Sequence, residues 1–473
     1  MEQPVTASGM TEISERIGRY RWTICALVFF ATTANYFDRN VLGLLKPMLA
    51  DKGVFGPDKP NQELYYSYVV MSFQIAYALG MLLTGRLIDW LGTKKGYAFS
   101  LLGWSIAAIG HALAYNPFTF GVWRAALGFT ESGNFPAANK TMAEWFPKKE
   151  RAFATGFYNS GANVGAIATP LFVPWMAVNW GWQTAFIFVG AIGLIWLFFW
   201  FRVYASPREK LKAGILSRAE YDYIHADKEE SAEEENQGEQ ISWLKLLCYR
   251  QTWAFFFGKF MTDGVWWFFL FWLPSFLSNS NAVKIKEHMA AYPFYSGASS
   301  QIPGVISWTL AIAVVYTIAT AGSIWGGWLP KKLINGGMLT FRARKLSMLV
   351  YALLPLTVLL VGRLGDINTW YAVLVIGLAC AAHQAWSANI FTTVTDMFPK
   401  KAVASVTGIG GMAGAVGGML IAQAAGLVLK HYTELGKLEA GYGILFIFCG
   451  VAYLAAWLIM HFLAPRLTRV EDL

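Results

Sequence analysis

The sequence predicts an all-α membrane protein of twelve transmembrane helices, arranged as two six-helix bundles related by pseudo-symmetry. Three observations carry this expectation. Only 14% of the 473 residues are charged and 56% are hydrophobic, whereas soluble domains carry about 25% charged residues. The apolar residues fall in long charge-free runs, among them 24–33, 69–85, 186–201 and 350–362. About 20 such residues are what a helix needs to cross a ~30 Å hydrocarbon core. The third observation is an internal repeat. Residues 143–156 read AEWFPKKERAFATG and residues 394–408 read VTDMFPKKAVASVTG. Aligning Phe146 with Phe398 also pairs Pro147 with Pro399, Lys148 with Lys400, Ala152 with Ala404, Thr155 with Thr407, Gly156 with Gly408 and Gly165 with Gly417. A repeat of this length implies a duplicated six-helix unit with both copies in the same orientation.

In chain order the apolar runs place spans over residues 22–45, 65–89, 96–114, 117–142, 151–176 and 182–203, then 250–278, 303–329, 344–363, 369–393, 403–429 and 439–463. The first bundle is therefore residues 1–205 and the second 243–473. Residues 206–242 form an acidic linker whose run Lys228–Glu235 is expected to be solvated. Gly156, Gly161 and Gly165 in the fifth span, and Gly408, Gly411, Gly414 and Gly418 in the eleventh, let helix backbones approach closely.

The net charge of +9 does not point to nucleic acid, because the basic residues gather in short loops on one side. These are Lys94/Lys95, Lys148–Arg151, Lys331/Lys332 to Lys345 and Lys400/Lys401. The positive-inside rule makes that side cytoplasmic and puts both termini there. Of the four cysteines, Cys25, Cys380 and Cys449 lie inside predicted spans and Cys248 on the cytoplasmic side, so no disulfide framework is expected. The polar first ~20 residues and the long apolar run after them do not read as a cleaved signal peptide. The sequence shows no metal-ligand cluster, no phosphate-binding loop and no nucleophile–base pair, so neither an enzyme nor a cofactor or metal is expected. Without an ATPase domain, any transport must run on a gradient.

A charged side chain at the bilayer centre costs at least ~2.5 kcal/mol, so each one needs a partner and a reason. The first span carries Asp38 and Arg39. The fourth carries Arg124 and Glu131, seven residues apart and so on one helix face. The seventh carries Lys259 and Asp263, four apart and able to pair, and the tenth carries His383. Structural ion pairs could account for Lys259 and Asp263. Two acids and two bases in the first bundle exceed what packing requires. A buried Arg can hold a carboxylate through two parallel hydrogen bonds, and an acid beside a base can alternate between pairing and carrying a proton. With 21 Trp residues, most aromatics serve lipid or core packing. A single buried His such as His383 is more often structural than proton-carrying.

The loop Gly85-Arg86-Leu87-Ile88-Asp89-Trp90-Leu91-Gly92-Thr93-Lys94-Lys95 resembles the signature loop of the major facilitator superfamily. The resemblance implies that Asp89, with Lys94 and Lys95, stabilises a gate state. The matching loop Gly327-Trp328-Leu329-Pro330-Lys331-Lys332 has Lys331 in the Asp position, which implies a differently wired second gate. Tyr36-Phe37-Asp38-Arg39 and the Arg124…Glu131 pair look like the anion:cation symporter branch. The stretches Gly258–Pro274, His383–Asn389 and Phe341–Lys345 look like the bacterial hexuronate:proton symporters within it.

That resemblance implies that Arg39 binds the substrate carboxylate. Asp38 and Glu131 would be protonation sites, with Arg124 tuning Glu131. Lys259, Gln384, Ser387 and Asn389 would hydrogen-bond the substrate, and Tyr77, Trp267 and Trp386 would wall the sugar ring. Tyr36, Gln74, Asn163 and His383 belong to the same expected binding site. The expected partners are a small carboxylate, protons and the lipid bilayer, with the chain monomeric in a bacterial inner membrane. Other cargoes (an aldonate, glucarate or tartrate) fit the same features. An exporter of lipophilic cations fits poorly with the buried bases, and a non-transporting sensor would show no counterflow.

Overall fold

The computed structural model describes residues 18–226, 242–280, 304–468 and 470, and among these there is no strand. The expected absence of a leader in the first residues and the run Lys228–Glu235 fall outside the described residues. The helices are α1 (Tyr20–Asp51), α2 (Lys59–Gly110), α3 (Pro117–Glu131), α4 (Asn134–Trp145), α5 (Lys148–Trp180), α6 (Trp182–Val203), α7 (Pro207–Lys212), α8 (Arg218–His225) and α9 (Trp243–Leu246). They continue with α10 (Arg250–Ser280), α11 (Gly304–Asn335), α12 (Thr340–Leu353), α13 (Val361–Ile367), α14 (Thr369–Met397), α15 (Lys400–Glu434) and α16 (Leu438–Leu463).

Nine helical stretches among the described residues are long and apolar enough to cross a membrane. The remaining crossings follow from three details. The run Lys59–Leu113 is 55 residues long and turns at Gly92, whose φ of 76° suits glycine, so it holds the second and third spans. α1 misses the apolar criterion because it carries Arg21, Asp38, Arg39 and Lys46. The fourth span is split at Ser132–Gly133 into α3 and α4. Twelve crossings result, and the two that hydropathy passes over hold the buried Asp38, Arg39, Lys46, Arg124 and Glu131.

The repeat is visible as repeated local chemistry. Pro147 and Pro399 occupy the N-caps of α5 and α15 with nearly the same backbone angles. Phe146 and Phe398 just before them are both buried. Proline belongs there because the first helical N–H groups have no partner inside the helix.

Within the first half α1 packs on α5 and α6, and α2 on α3 and α6. In the second, α10 packs on α15 and α16, and α11 on α14. The halves meet along α2 and α15, α5 and α11, and α1 and α10. The seam of α11 and α14 is backbone-tight: a methyl added at Gly322 would lie 2.1 Å from the Ala381 carbonyl oxygen. We expect Gly322→Ala to destabilise the second half by about 1–3 kcal/mol. It should lower the midpoint of thermal unfolding in detergent; an unchanged midpoint would show that these helices can part freely.

At the end away from the linker the halves are sealed. Residues 38–46 of α1 and 267–277 of α10 are buried on every side. The Tyr66 hydroxyl donates to the Phe271 carbonyl at 2.9 Å, joining α2 to α10. Nearby Lys46 and Glu63 form a buried ion pair at 2.6 Å, with the ammonium over the Tyr66 ring. Removing one member of a buried pair leaves the other charge uncompensated, at a cost of about 3–5 kcal/mol. At the opposite end the linker helix α8 docks on the first half. Glu220 accepts from the backbone N–H groups of Tyr20 and Arg21 at the start of α1, and Arg21 also pairs with Glu150 of α5.

Candidate functional site at the seam between the halves

The site grows from the sealed stretch of α1. Arg39 is 4% exposed, so its guanidinium must find partners inside the protein. Its Nε and Nη2 donate to Glu131 Oε2 at 3.1 and 2.9 Å, and Nη2 also donates to Asn35 Oδ1 at 3.3 Å. Asn35 stands one turn before Arg39 on α1. Rings surround the guanidinium: Tyr36 at 5.1 Å, Tyr77 at 5.0 Å, Phe73 at 5.6 Å and Trp267 at 5.4 Å to centroid. Phe73 and Tyr77 stack, and Trp267 lies edge-on to both. Trp267 belongs to α10, so the box closes only when both halves contribute a wall.

Arg39 thus takes Glu131 from α3, while Arg124, on the same face of α3, lies between the rings of Phe73 and Phe271 at 4.7 and 5.6 Å. Its three guanidinium nitrogens have no hydrogen-bond partner among the described residues, and neither do Asp38 Oδ2, Glu131 Oε1 or the two amide atoms of Gln74. Asp38, Arg39, Arg124 and Glu131 are close enough to feel one another's charges. Gln74 faces the second half, since a methyl on Gly418 of α15 would lie 2.9 Å from its Nε2 and 2.4 Å from Trp267 Cδ1. Buried polar groups are ordinarily hydrogen-bonded. This concentration of unsatisfied donors and acceptors beside an aromatic box is suited to a small, polar, anionic guest.

The second half brings its own charges. Lys259 and Asp263 pair at 2.7 Å, as their four-residue spacing predicts, with Lys259 Nζ over the Phe391 ring. The Asp263 carboxylate lies against Gly414 of α15. His383 stacks on Trp266 at 4.7 Å and shares a 2.6 Å hydrogen bond with the Tyr453 hydroxyl, which ties α10, α14 and α16 together. Trp386 is buried edge-on to Tyr453.

Gln384, Ser387 and Asn163 are half-buried. Asn389 uses its amide N–H groups on the Gly326 and Ala385 carbonyls. It lines a separate cavity toward the linker end.

The signature loop is differently arranged from the Asp89–Lys94–Lys95 grouping. Asp89 pairs with Lys140 of α4 at 2.7 Å, and the Lys94 carbonyl accepts from the Trp200 indole. The Asp89 side chain is 72% exposed, so this pair contributes at most ~1 kcal/mol.

Sequence reasoning missed Asn35, Phe73 and Lys140. Asn35 could have been found from its four-residue offset to Arg39. Phe73 and Lys140 join the site through helix packing, which leaves no local signal. Among the described residues no group of His, Cys, Asp and Glu could hold a metal ion.

Comparison with known proteins identifies the family. The sequence pattern of the Major Facilitator Superfamily matches residues 28–422. The chain is 28% identical to the hexuronate transporter of Escherichia coli K12 over 447 residues, covering 94% of this chain and 95% of that one. It is 31% identical to the galacturonate transporter of Dickeya chrysanthemi over 272 residues, 58% of this chain and 76% of the other. It is 27% identical to an E. coli D-galactonate transporter, covering 91% and 93%. Among solved structures, the inward-open xylose transporter of E. coli superposes with a TM-score of 0.68 at 14% identity, covering 96% of this chain and 98% of that one.

Proposed function

Because the chain belongs to the major facilitator superfamily, a family of membrane transporters and not of enzymes, we propose that it is a proton-coupled symporter that imports a sugar-acid anion, a hexuronate in the first instance. The observation that carries this reading is the Arg39–Glu131 pair inside an aromatic box shared by both halves. Glu131 holds Arg39 as a substrate carboxylate would. The two carboxylates therefore compete for one guanidinium, and a proton on Glu131 frees Arg39 for the substrate. Binding the anion and binding the proton become mutually supportive, which is the coupling that symport requires.

The aromatic walls suit the apolar faces of a sugar ring. Arg124, Gln74 and the Lys259–Asp263 pair supply donors and acceptors for its hydroxyls, with Tyr36, Asn163, Gln384, Ser387 and Trp386 around them. Asp38 is the second proton carrier of this reading. Residues 1–205 and 243–473 act as two bodies that rock about the site, joined by 206–242. The linker end, rich in Lys and Arg, faces the cytoplasm of a bacterial cell, and Asp89–Lys140 steadies one state of the gate there. The names of the relatives at 27–31% identity, hexuronate, galacturonate and galactonate transporters, support the substrate class.

The test is uptake of labelled glucuronate and galacturonate into proteoliposomes, with and without an inward proton gradient. The expected result is accumulation above equilibrium only with the gradient. Accumulation independent of the gradient would overturn the coupling. If neither hexuronate enters while an aldonate or aldarate does, the cargo is corrected and the mechanism kept.

A further inference from the structure

The repeat pairs Asp89 with Lys331, through Gly85-x-Leu87 and Gly327-x-Leu329, and Lys140 with Thr392, through Phe146 and Phe398. In the first half these positions hold an ion pair, Asp89–Lys140 at 2.7 Å. In the second half the same two positions hold a lysine and a threonine, and between them lies a cavity of about 330 Å³. Its wall includes Lys331, Asn335, Arg344, Asn389 and Thr392, with two cations and no carboxylate. Arg344 is also ion-paired with Asp396, which does not line the cavity. Lys331 forms no ion pair among the described residues. The first half thus supplies its own anion at this position and the second half does not. Beside the cavity Trp328 and Leu339 are exposed, and Lys332 lies over the Trp328 ring, an arrangement typical of the headgroup level of a membrane.

We propose that this cavity, between α11, α12 and α14 at the linker end, is a binding site for a phosphate-class oxyanion that takes the place of the absent carboxylate. Lys331 meets its charge, Arg344 shares its guanidinium between Asp396 and the oxyanion, and the Asn335 amide meets a remaining oxygen. A volume of this size lies at the lower end of small-ligand sites and is ample for a phosphate group. The oxyanion is either free phosphate or the headgroup of an anionic phospholipid, and one experiment separates them. The site stands apart from Arg39 and its box, so it does not depend on the transport reading.

The full chain is purified in detergent and titrated with radiolabelled inorganic phosphate. In parallel it is placed in nanodiscs of equal parts phosphatidylglycerol and phosphatidylcholine, and retained lipids are counted by native mass spectrometry. Three variants are compared: Lys331→Gln, Lys331→Asp, which restores the acid of the first half, and Lys332→Gln as a neighbouring-charge control. Lys331 is exposed, so these changes leave the fold intact. Saturable phosphate binding weakened at least tenfold by both Lys331 variants, and unchanged in Lys332→Gln, supports the proposal with free phosphate as ligand. Weak phosphate binding, with retained phosphatidylglycerol lost in both Lys331 variants alone, supports it with a lipid headgroup as ligand. Binding and retention that are the same in all four proteins, or that fall equally in the Lys332 control, overturn it.

Discussion

Replacing Arg39 by alanine is expected to abolish binding of every carboxylate ligand while leaving the protein folded enough to purify. The guanidinium is buried at the seam, and it is the cation around which Tyr36, Phe73, Tyr77 and Trp267 are arranged. Truncating one partner of a buried, hydrogen-bonded charge pair costs about 2–5 kcal/mol. That is roughly a 30- to 5,000-fold loss of affinity. Arg39→Lys should recover little of it, because an ammonium keeps the charge but cannot make two parallel N–H bonds to a carboxylate. The measurement is ligand-induced stabilisation or equilibrium binding of labelled glucuronate to the purified variants. Affinity retained in Arg39→Ala would refute the role of this residue. The destabilising effect of leaving Glu131 buried without its partner is read separately, from thermal unfolding without ligand.

The second large effect is expected at Glu131. Its Oε2 accepts both N–H groups of Arg39 while Oε1 has no hydrogen-bond partner among the described residues. Glutamine keeps the shape and one oxygen acceptor but can neither take up nor release a proton at neutral pH. The competition for Arg39 therefore loses its pH dependence. In the proposed mechanism, deprotonated Glu131 holds Arg39 and protonated Glu131 releases it, so substrate affinity is expected to rise as pH falls. In Glu131→Gln that slope should flatten, with affinity close to the native low-pH value. Proteoliposomes carrying the variant should exchange labelled for unlabelled substrate but not accumulate it against a gradient. Uphill accumulation by Glu131→Gln under a pH gradient would remove Glu131 from the coupling. A lost exchange activity with intact binding would assign it to the conformational change instead.

These expectations could be framed because the charges were visible in the sequence. Asp38, Arg39, Arg124, Glu131, Lys259 and Asp263 announce themselves by standing in runs that are otherwise apolar. The pairing was legible where it is local: Lys259 and Asp263 lie one turn apart, and they pair. It was not legible where it is long-range. Arg124 and Glu131 share a face of α3, yet Glu131 reaches across to Arg39 and Arg124 stays between two rings. The signature loop behaves the same way, since Asp89 takes Lys140 of α4 as its partner and not the nearby Lys94 or Lys95.

By itself the sequence determined the fold class, the number of crossings, the duplicated unit and the class of chemistry. These follow from composition, from the ~20-residue period that a bilayer imposes, and from the cost of placing charge in hydrocarbon. The tertiary structure decided which charge meets which and which half supplies each wall of the box. It also showed that Lys331 and Thr392 border a cavity where Asp89 and Lys140 form a pair. The physical reason is range. Hydrophobic periodicity and one-turn pairing act within a helix and are written along the chain. The contact of Arg39 with Glu131, 92 residues apart, depends on how α1 and α3 are set against α2 and α10, and that is fixed only when the whole bundle packs.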